Sequence, residues 1–322
     1  MAPFDHESVL TDAVVANLAL RDHGIYVDGT LGGGGHALAL LEANPTLMLV
    51  GIDRDPAALE AAGTRLAAHA ARTRLVHAPY ADLPAILSSL HLGPVHGILL
   101  DLGVSSPQLD VPERGFSFSK PGPLDMRMDP TRGPTALELL RTLDADSLAD
   151  LISTLGEERH ARKISRLIQE AIRADRVHST TDLAALITQA IPPAEQRTSR
   201  IHPATRTFQA LRIAVNAELD QLSSLLASFP DLLAPGGRFA IISFHSLEDR
   251  LVKHRFRDLT WTTSLPRHLA AAAGERADPV CEVVTRKPIY ASDAEVARNP
   301  RARSARLRVC ERTAAPNLPA HA

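Results

Sequence analysis

Cysteine is nearly missing from this 322-residue chain: Cys281 and Cys310 are the whole complement, with no CxxC pair and no histidine pair at zinc spacing beside them. That excludes a disulfide-stapled fold and a structural zinc site, and leaves two reduced thiols in apolar strands. Long apolar runs are lacking as well. None approaches the roughly 18 residues of a membrane span. The first ten residues, MAPFDHESVL, have neither the basic start nor the apolar core of an export signal, so the expectation is a cytoplasmic protein with no membrane segment. Charge of one sign is not in excess either. A net charge of −2 excludes an overall polycation, although arginines gather at residues 159–166 and 298–308, where they suit phosphate groups.

What the sequence does contain is a βαβ pattern around which the rest is organised. Residues 26–53 read YVDGTLGGGGHALALLEANPTLMLVGID: a short apolar run, the glycines Gly32 to Gly35, a helical stretch, and a second apolar run ending on Asp53. Backbone without Cβ atoms turns sharply and lets a ligand lie against N–H groups at a helix N-terminus. Asp53 follows the first glycine of the run by 21 residues, the place from which a Rossmann-type unit holds ribose hydroxyls.

Further alternation follows, with a helix over 57–69, a strand over 73–80, a helix over 83–90 and a strand over 95–103 that ends on Asp101. This pitch predicts a mostly parallel, doubly wound α/β sheet. A short helix over 6–20 precedes it. From Ser105 the period is lost in a stretch rich in proline, glycine and serine, the pattern of a functional loop or a domain boundary. Residues 135–155, 157–174, 180–191 and 204–229 then read as amphipathic helices without strand signals, a helical insertion of roughly 100 residues. Strand patterns resume at 238–244, 280–286 and 304–312, and the tail from Thr313 reads as disordered.

The glycine turn alone leaves the cofactor open. GxGxxG fails at its third glycine, where Leu38 stands; S-adenosylmethionine has no pyrophosphate and asks only for a close glycine turn, so the turn favours a methyl donor over a dinucleotide. His36 is placed to hydrogen-bond a ligand or to cap the helix. Asp101 lies at the carboxyl edge of the sheet, where ligands bind in open α/β folds. Tyr80, after the third strand, suits stacking on a purine or core packing.

The motifs DGTLGGGGH, GIDRDP, GILLDLGVSSPQLD, ERGFSFSKPGPLDMRMDPTRGP, GEERHARKI, HPATRTFQALRIAVN, LAPGGRFAIISFHSLEDR and NPRARSARLR occur in this order over nearly the whole chain. Together they resemble the MraW/RsmH family of bacterial small-subunit ribosomal RNA methyltransferases. The resemblance implies a Rossmann-like class I methyltransferase fold, residues 1–108 and 211–322, carrying an inserted all-helical domain, residues 109–210, for RNA recognition. It implies transfer of a methyl group from S-adenosyl-L-methionine to the exocyclic N4 of a cytidine in the decoding region of 16S rRNA, in the 30S subunit. It is compatible with a homodimer. Carried across by motif, the cofactor contacts fall on Gly34, Gly35, His36, Asp53, Tyr80, Asp101 and Gln108. Many amino-group methyltransferases end the fourth strand on an acid or amide followed by two prolines and an aromatic. Here that place reads DLGVSSPQ, which leaves Asp101 as the group that orients the amino nitrogen and His245 as a second catalytic candidate. Arg114, Arg127 and Arg132 are candidate phosphate contacts of the loop, and Arg301, Arg303 and Arg306 of the C-terminal region. Residues 260–279 match no fixed pattern and are assigned nothing.

Overall fold

The structure, a computed structural model, describes residues 8–199, 201–260 and 279–316; the expected start of the first helix at His6, most of the unassigned 260–279 segment and the end of the tail lie outside them. The described residues form two compact units. One runs from Val104 to Leu219; the other joins the chain through Gly103 to the chain from Asp220.

In the second unit the chain runs α1 (Thr11–Asn17), β1 (Ile25–Asp28), α2 (Gly35–Ala43), β2 (Met48–Asp53), α3 (Pro56–Arg65), β3 (Thr73–His77), α4 (Leu83–Ser89) and β4 (Val95–Asp101). Helix α3 starts where the sequence places it: Asp55 caps it by accepting the Ala57 N–H at 3.1 Å, and Pro56 occupies the first turn. The first unit supplies α5 (Ser106–Asp110), α6 (Ala136–Thr142), α7 (Ala145–Gly156), α8 (Ala161–Arg173), α9 (Thr180–Ala190), α10 (Pro193–Thr198) and α11 (Thr205–Asn216). Helix α12 (Glu218–Leu232) leads back to β5 (Leu233–Ser243), followed by α13 (Ser246–Leu259), β6 (Cys281–Val283), α14 (Asp293–Arg298) and β7 (Arg306–Arg312).

The sheet order is β3-β2-β1-β4-β5-β7-β6. Strands β1 to β5 pair in parallel, and β7 pairs antiparallel with both β5 and β6. Period-2 alternation decides which helix each strand residue meets. Val27, Val50, Ile98 and Ile241 pack with Leu87 of α4, Phe229 of α12 and Phe256 of α13. Their chain neighbours Tyr26, Leu49, Leu99 and Ile242 turn the other way, onto Val14 of α1, Leu40 of α2 and Ala62 of α3. Both faces are therefore covered, which is why these strands read as continuous apolar runs.

Two expected long helices are each two shorter ones. Residues 135–155 break at Asp144, whose side chain caps α7 by accepting the Ser147 N–H at 2.7 Å. Residues 204–229 break at Ala217, in the left-handed conformation at φ 47°. The helical unit has its own core, with Leu140 of α6, Ile152 of α7, Ile164 and Ile168 of α8, Leu183 and Ile187 of α9 and Leu211 of α11. The irregular stretch before α6 is tied down by Asn216: its side chain accepts the Met128 N–H at 2.7 Å and donates to the carbonyls of Met126 at 2.8 Å and Arg212 at 2.9 Å. No helix among the described residues is long and apolar enough to cross a membrane.

Candidate active site

Three neighbouring strands, in the order β2-β1-β4, each end on an aspartate: Asp53, Asp28 and Asp101. Parallel pairing brings these ends to one edge of the sheet, and the β1–α2 turn wraps over them. The turn is pinned on both sides. The Gly29 N–H donates to the Leu99 carbonyl at 2.9 Å, and the Leu31 N–H to the Ile52 carbonyl at 2.9 Å. Gly32 and Gly34 take φ values of +52° and +77°, which side chains with a Cβ rarely adopt. That conformation turns the Gly32 N–H onto Asp53 Oδ2 at 2.7 Å, while Asp53 Oδ1 accepts the Asp55 N–H at 2.8 Å.

Asp28 is the deepest of the three acids, 1% exposed. Its Oδ1 accepts the Thr30 N–H at 3.2 Å, and the Thr30 hydroxyl in turn accepts the Asp101 N–H at 2.6 Å. The other oxygen of Asp28 and Oδ1 of Asp101 are buried without a hydrogen-bond partner among the described residues. Burial disfavours the charged form of each acid. It raises Asp28 to about 7, with the Asp53 charge adding to the effect against the Thr30 hydrogen bond, and raises Asp53 to about 6 despite its two backbone hydrogen bonds. Asp101 is pushed well above the usual carboxylate range by burial and by its neighbours Asp28 and Glu248.

The structure brings Gly34, Gly35, His36, Asp53 and Asp101 together around this turn. His36 is buried at the start of α2; its Nε2 lies 2.8 Å from the Val9 carbonyl and its Nδ1 3.7 Å from Asp101 Oδ2. Tyr80 opens the 3-10 turn after β3 and is 6% exposed, packed in the apolar cluster with Val27, Val50 and Ile52. A Cβ on Gly29 would lie 3.1 Å from the Tyr80 Cβ, so the tyrosine stem lies under the glycine turn. Gln108 belongs to the other unit, where its Oε1 accepts the Ser105 N–H at 3.0 Å and caps α5. His245 lies between β5 and α13, its Nε2 3.1 Å from Glu248 Oε1, while Glu248 Oε2 accepts the N–H groups of Phe244 at 2.8 Å and His245 at 3.3 Å.

Three residues of this edge escape a reading based on glycines and strand-terminal acids past the turn: Asp28, Thr30 and Glu248. Asp28 carried a usable signal, an acid closing the first strand of the unit, but the glycines beside it draw the attention. The loop arginines make contacts within the loop itself. Arg114 donates to the carbonyls of Arg127 and Met128 at 3.0 Å each, Arg127 forks onto Asp125 at 2.7 Å, and Arg132 meets Asp129 at 2.6 Å. They staple their own loop. Of the C-terminal set, Arg303 is exposed and Arg306 lies 3.8 Å from Asp249.

The chemistry of this donor set discriminates between cofactors. Three acids at one sheet edge, Asp28 buried and Asp53 and Asp101 half-buried, two of them with an unmatched oxygen, call for hydroxyl donors and positive charge. A pyrophosphate would add two negative charges beside them, whereas S-adenosylmethionine, with a sulfonium, an ammonium and one carboxylate, carries a net positive charge and brings two ribose hydroxyls. The residues present fit the methyl donor.

Comparison with known proteins agrees. The MraW methylase family pattern matches residues 3–313 of the chain. The chain is 49% identical to the ribosomal RNA small subunit methyltransferase H of Magnetococcus marinus over 97% of its length and 99% of the relative's. It is 50% identical to the protein of the same name from Anaeromyxobacter sp. strain K, over 97% and 99% of the two chains. The Syntrophotalea carbinolica protein of that name is 51% identical, over 96% and 98%.

Proposed function

The chain belongs to the MraW methylase family, and from that premise we propose that it methylates the exocyclic N4 of a cytidine in the 16S rRNA of the small ribosomal subunit, with S-adenosylmethionine as the donor. The observation that carries the reading is the run of three acids on adjacent strand ends beneath a glycine turn. When bound, the cofactor would supply an activated methyl carbon.

The protein's part is to bind, align and exclude water. Asp53 would accept hydrogen bonds from the ribose hydroxyls, its orientation fixed by its backbone partners Gly32 and Asp55. The glycine turn lets backbone N–H groups approach the donor closely. Cytosine's amino nitrogen is a poor nucleophile because its lone pair is delocalised into the ring. Asp101, fixed at the backbone by Thr30, accepts a hydrogen bond from that amino group, holds its lone pair toward the methyl carbon, and stabilises the positive charge that develops as the bond forms. His245 and Glu248 close the same edge from the β5 side. The target base has to leave its stack to reach a buried methyl group. The helical unit and the arginine-rich segment around Arg301 and Arg303 hold the RNA.

Asp101→Ala protein that folds normally is expected to lose methyl transfer to small-subunit particles, measured with tritiated S-adenosylmethionine. Unchanged transfer would overturn the role assigned to Asp101.

A further inference from the structure

We propose that His36 is the positioning partner of Asp101: as an imidazolium it keeps the Asp101 carboxylate ionised, so that Asp101 can take the proton that the target amine releases. The inference rests on the reading of Asp101 as the residue facing the amino group.

It stands first on geometry. The His36 ring has two differently employed nitrogens. Nε2 lies 2.8 Å from the Val9 carbonyl, an acceptor only, so Nε2 carries a hydrogen in either protonation state. Nδ1 is then the nitrogen whose protonation can change, and it lies 3.7 Å from Asp101 Oδ2, within ion-pair reach. Val9 is itself held in place, because the N–H of the next residue, Leu10, donates to Glu295 Oε1 of α14 at 2.6 Å. The ring is 5% exposed and the Asp101 side chain 24%, so water is kept from the histidine half of the pair.

Electrostatics gives the pair its purpose. The groups facing Asp101 from the other elements are Asp28 on β1 and Glu248 on α13, both acids, and Asp53 stands beside Asp28 on β2. Around the His36 side of the turn, a cation among the described residues is Arg65 of α3, whose Nη1 lies 3.4 Å from where a Cβ on Gly35 would be. Burial and like charge both favour a protonated Asp101. A protonated Asp101 has one oxygen committed as a donor and cannot accept the departing proton. A cation at His36 reverses this, since an opposite charge within about 4–6 Å favours the ionised acid.

The proton and electron balance is simple. The amino lone pair forms the new N–C bond as the C–S bond breaks, and that electron pair stays on sulfur. The nitrogen then holds one hydrogen too many, which passes to the ionised Asp101. His36 keeps its own proton throughout, and the neutral Asp101 returns its proton to solvent when the product leaves.

The test is single-turnover methyl transfer at saturating donor, followed from pH 5 to pH 9, for wild type and His36→Gln, whose amide can still donate to Val9. The wild-type rate is expected to rise with pH to a plateau. In His36→Gln the rise is expected at least one pH unit higher, with a rate loss of about tenfold near neutrality that is recovered at pH 9; a purely structural defect would not be rescued by base. A profile unchanged from wild type, or a uniform loss at every pH, would overturn the proposal. A second measurement needs no active variant. In protein labelled with ¹⁵N-histidine and bound to S-adenosylhomocysteine, both His36 nitrogens are expected to be protonated at neutral pH, and Asp101→Asn is expected to remove the Nδ1 proton. A neutral His36 ring in that wild-type complex would equally overturn it. Failure of the wild-type protein to transfer methyl groups to rRNA at all would count instead against the proposed function.

Discussion

The three strand-end acids make the free protein and its cofactor complex respond to pH in opposite directions. An acid raised by burial costs stability as pH climbs from its unfolded value to its folded one, and the cost is complete above the folded value. For Asp28 the interval runs from 3.8 to about 7, and for Asp53 from 3.8 to about 6. At about 1.4 kcal/mol per pH unit, the part of those intervals above pH 5 removes about 3 kcal/mol through Asp28 and about 1 kcal/mol through Asp53 by pH 8. The melting temperature of the cofactor-free protein is therefore expected to fall by at least about 6 °C between pH 5 and pH 8, and Asp28→Asn is expected to reduce that fall. Cofactor binding runs the other way, because the cation and the ribose hydroxyls are matched by ionised acids. With Asp53 at about 6, calorimetric affinity for S-adenosylmethionine is expected to strengthen about tenfold from pH 5 to pH 7, and further if Asp28 must also ionise. An affinity that is flat or weakens over this range, or an Asp28→Asn protein that keeps the full pH dependence of stability, would refute the reasoning.

Other variants probe single links. Asp53→Asn exchanges one charged acceptor for an N–H that faces backbone donors, and losing a charge-assisted hydrogen bond at about 2–3 kcal/mol is expected to weaken cofactor binding about 30- to 150-fold, read by calorimetry; an affinity within threefold of wild type would contradict the assignment. Asn216→Ala strands the buried Met128 N–H and Met126 carbonyl, which at about 1–3 kcal/mol each is expected to loosen residues 105–134 and show as faster proteolysis within that stretch. Gly34→Ala forces a Cβ into a φ of +77° and to 3.3 Å from the Ala62 Cβ, so cofactor affinity is expected to drop at a cost of about 1–2 kcal/mol of backbone strain while the sheet stays folded by circular dichroism.

The sheet and its ligand edge were legible in the sequence because doubly covered strands leave continuous apolar runs and because glycines at positive φ leave a gap in side chains. Asp53 and Asp101 could be placed as strand-end acids by counting. Asp28 stood out only as an acid closing the first strand, since its electrostatic role comes from sheet order: only when β1 lies beside β2 does the Asp53 charge bear on it. The contacts of the arginines of residues 105–134 were not legible for a related reason. A guanidinium in an irregular stretch looks free until the fold shows which carbonyls need donors, and Arg114 supplies two of them. The break at Ala217 was hidden because alanine is a strong helix former, while the requirement for a left-handed residue there comes from tertiary packing. Gln108 caps its own helix through Oε1, a local role that the sequence pattern alone does not reveal.

The central claim is tested most directly by nucleoside analysis of small subunits from cells lacking this protein, after incubation with the purified protein and S-adenosylmethionine carrying a tritiated methyl group. The account predicts label in 16S rRNA alone, at a single position, recovered as N4-methylcytidine and absent with Asp101→Ala. Label on another base or at another atom of cytidine, or no label from a protein that binds the cofactor, would contradict it.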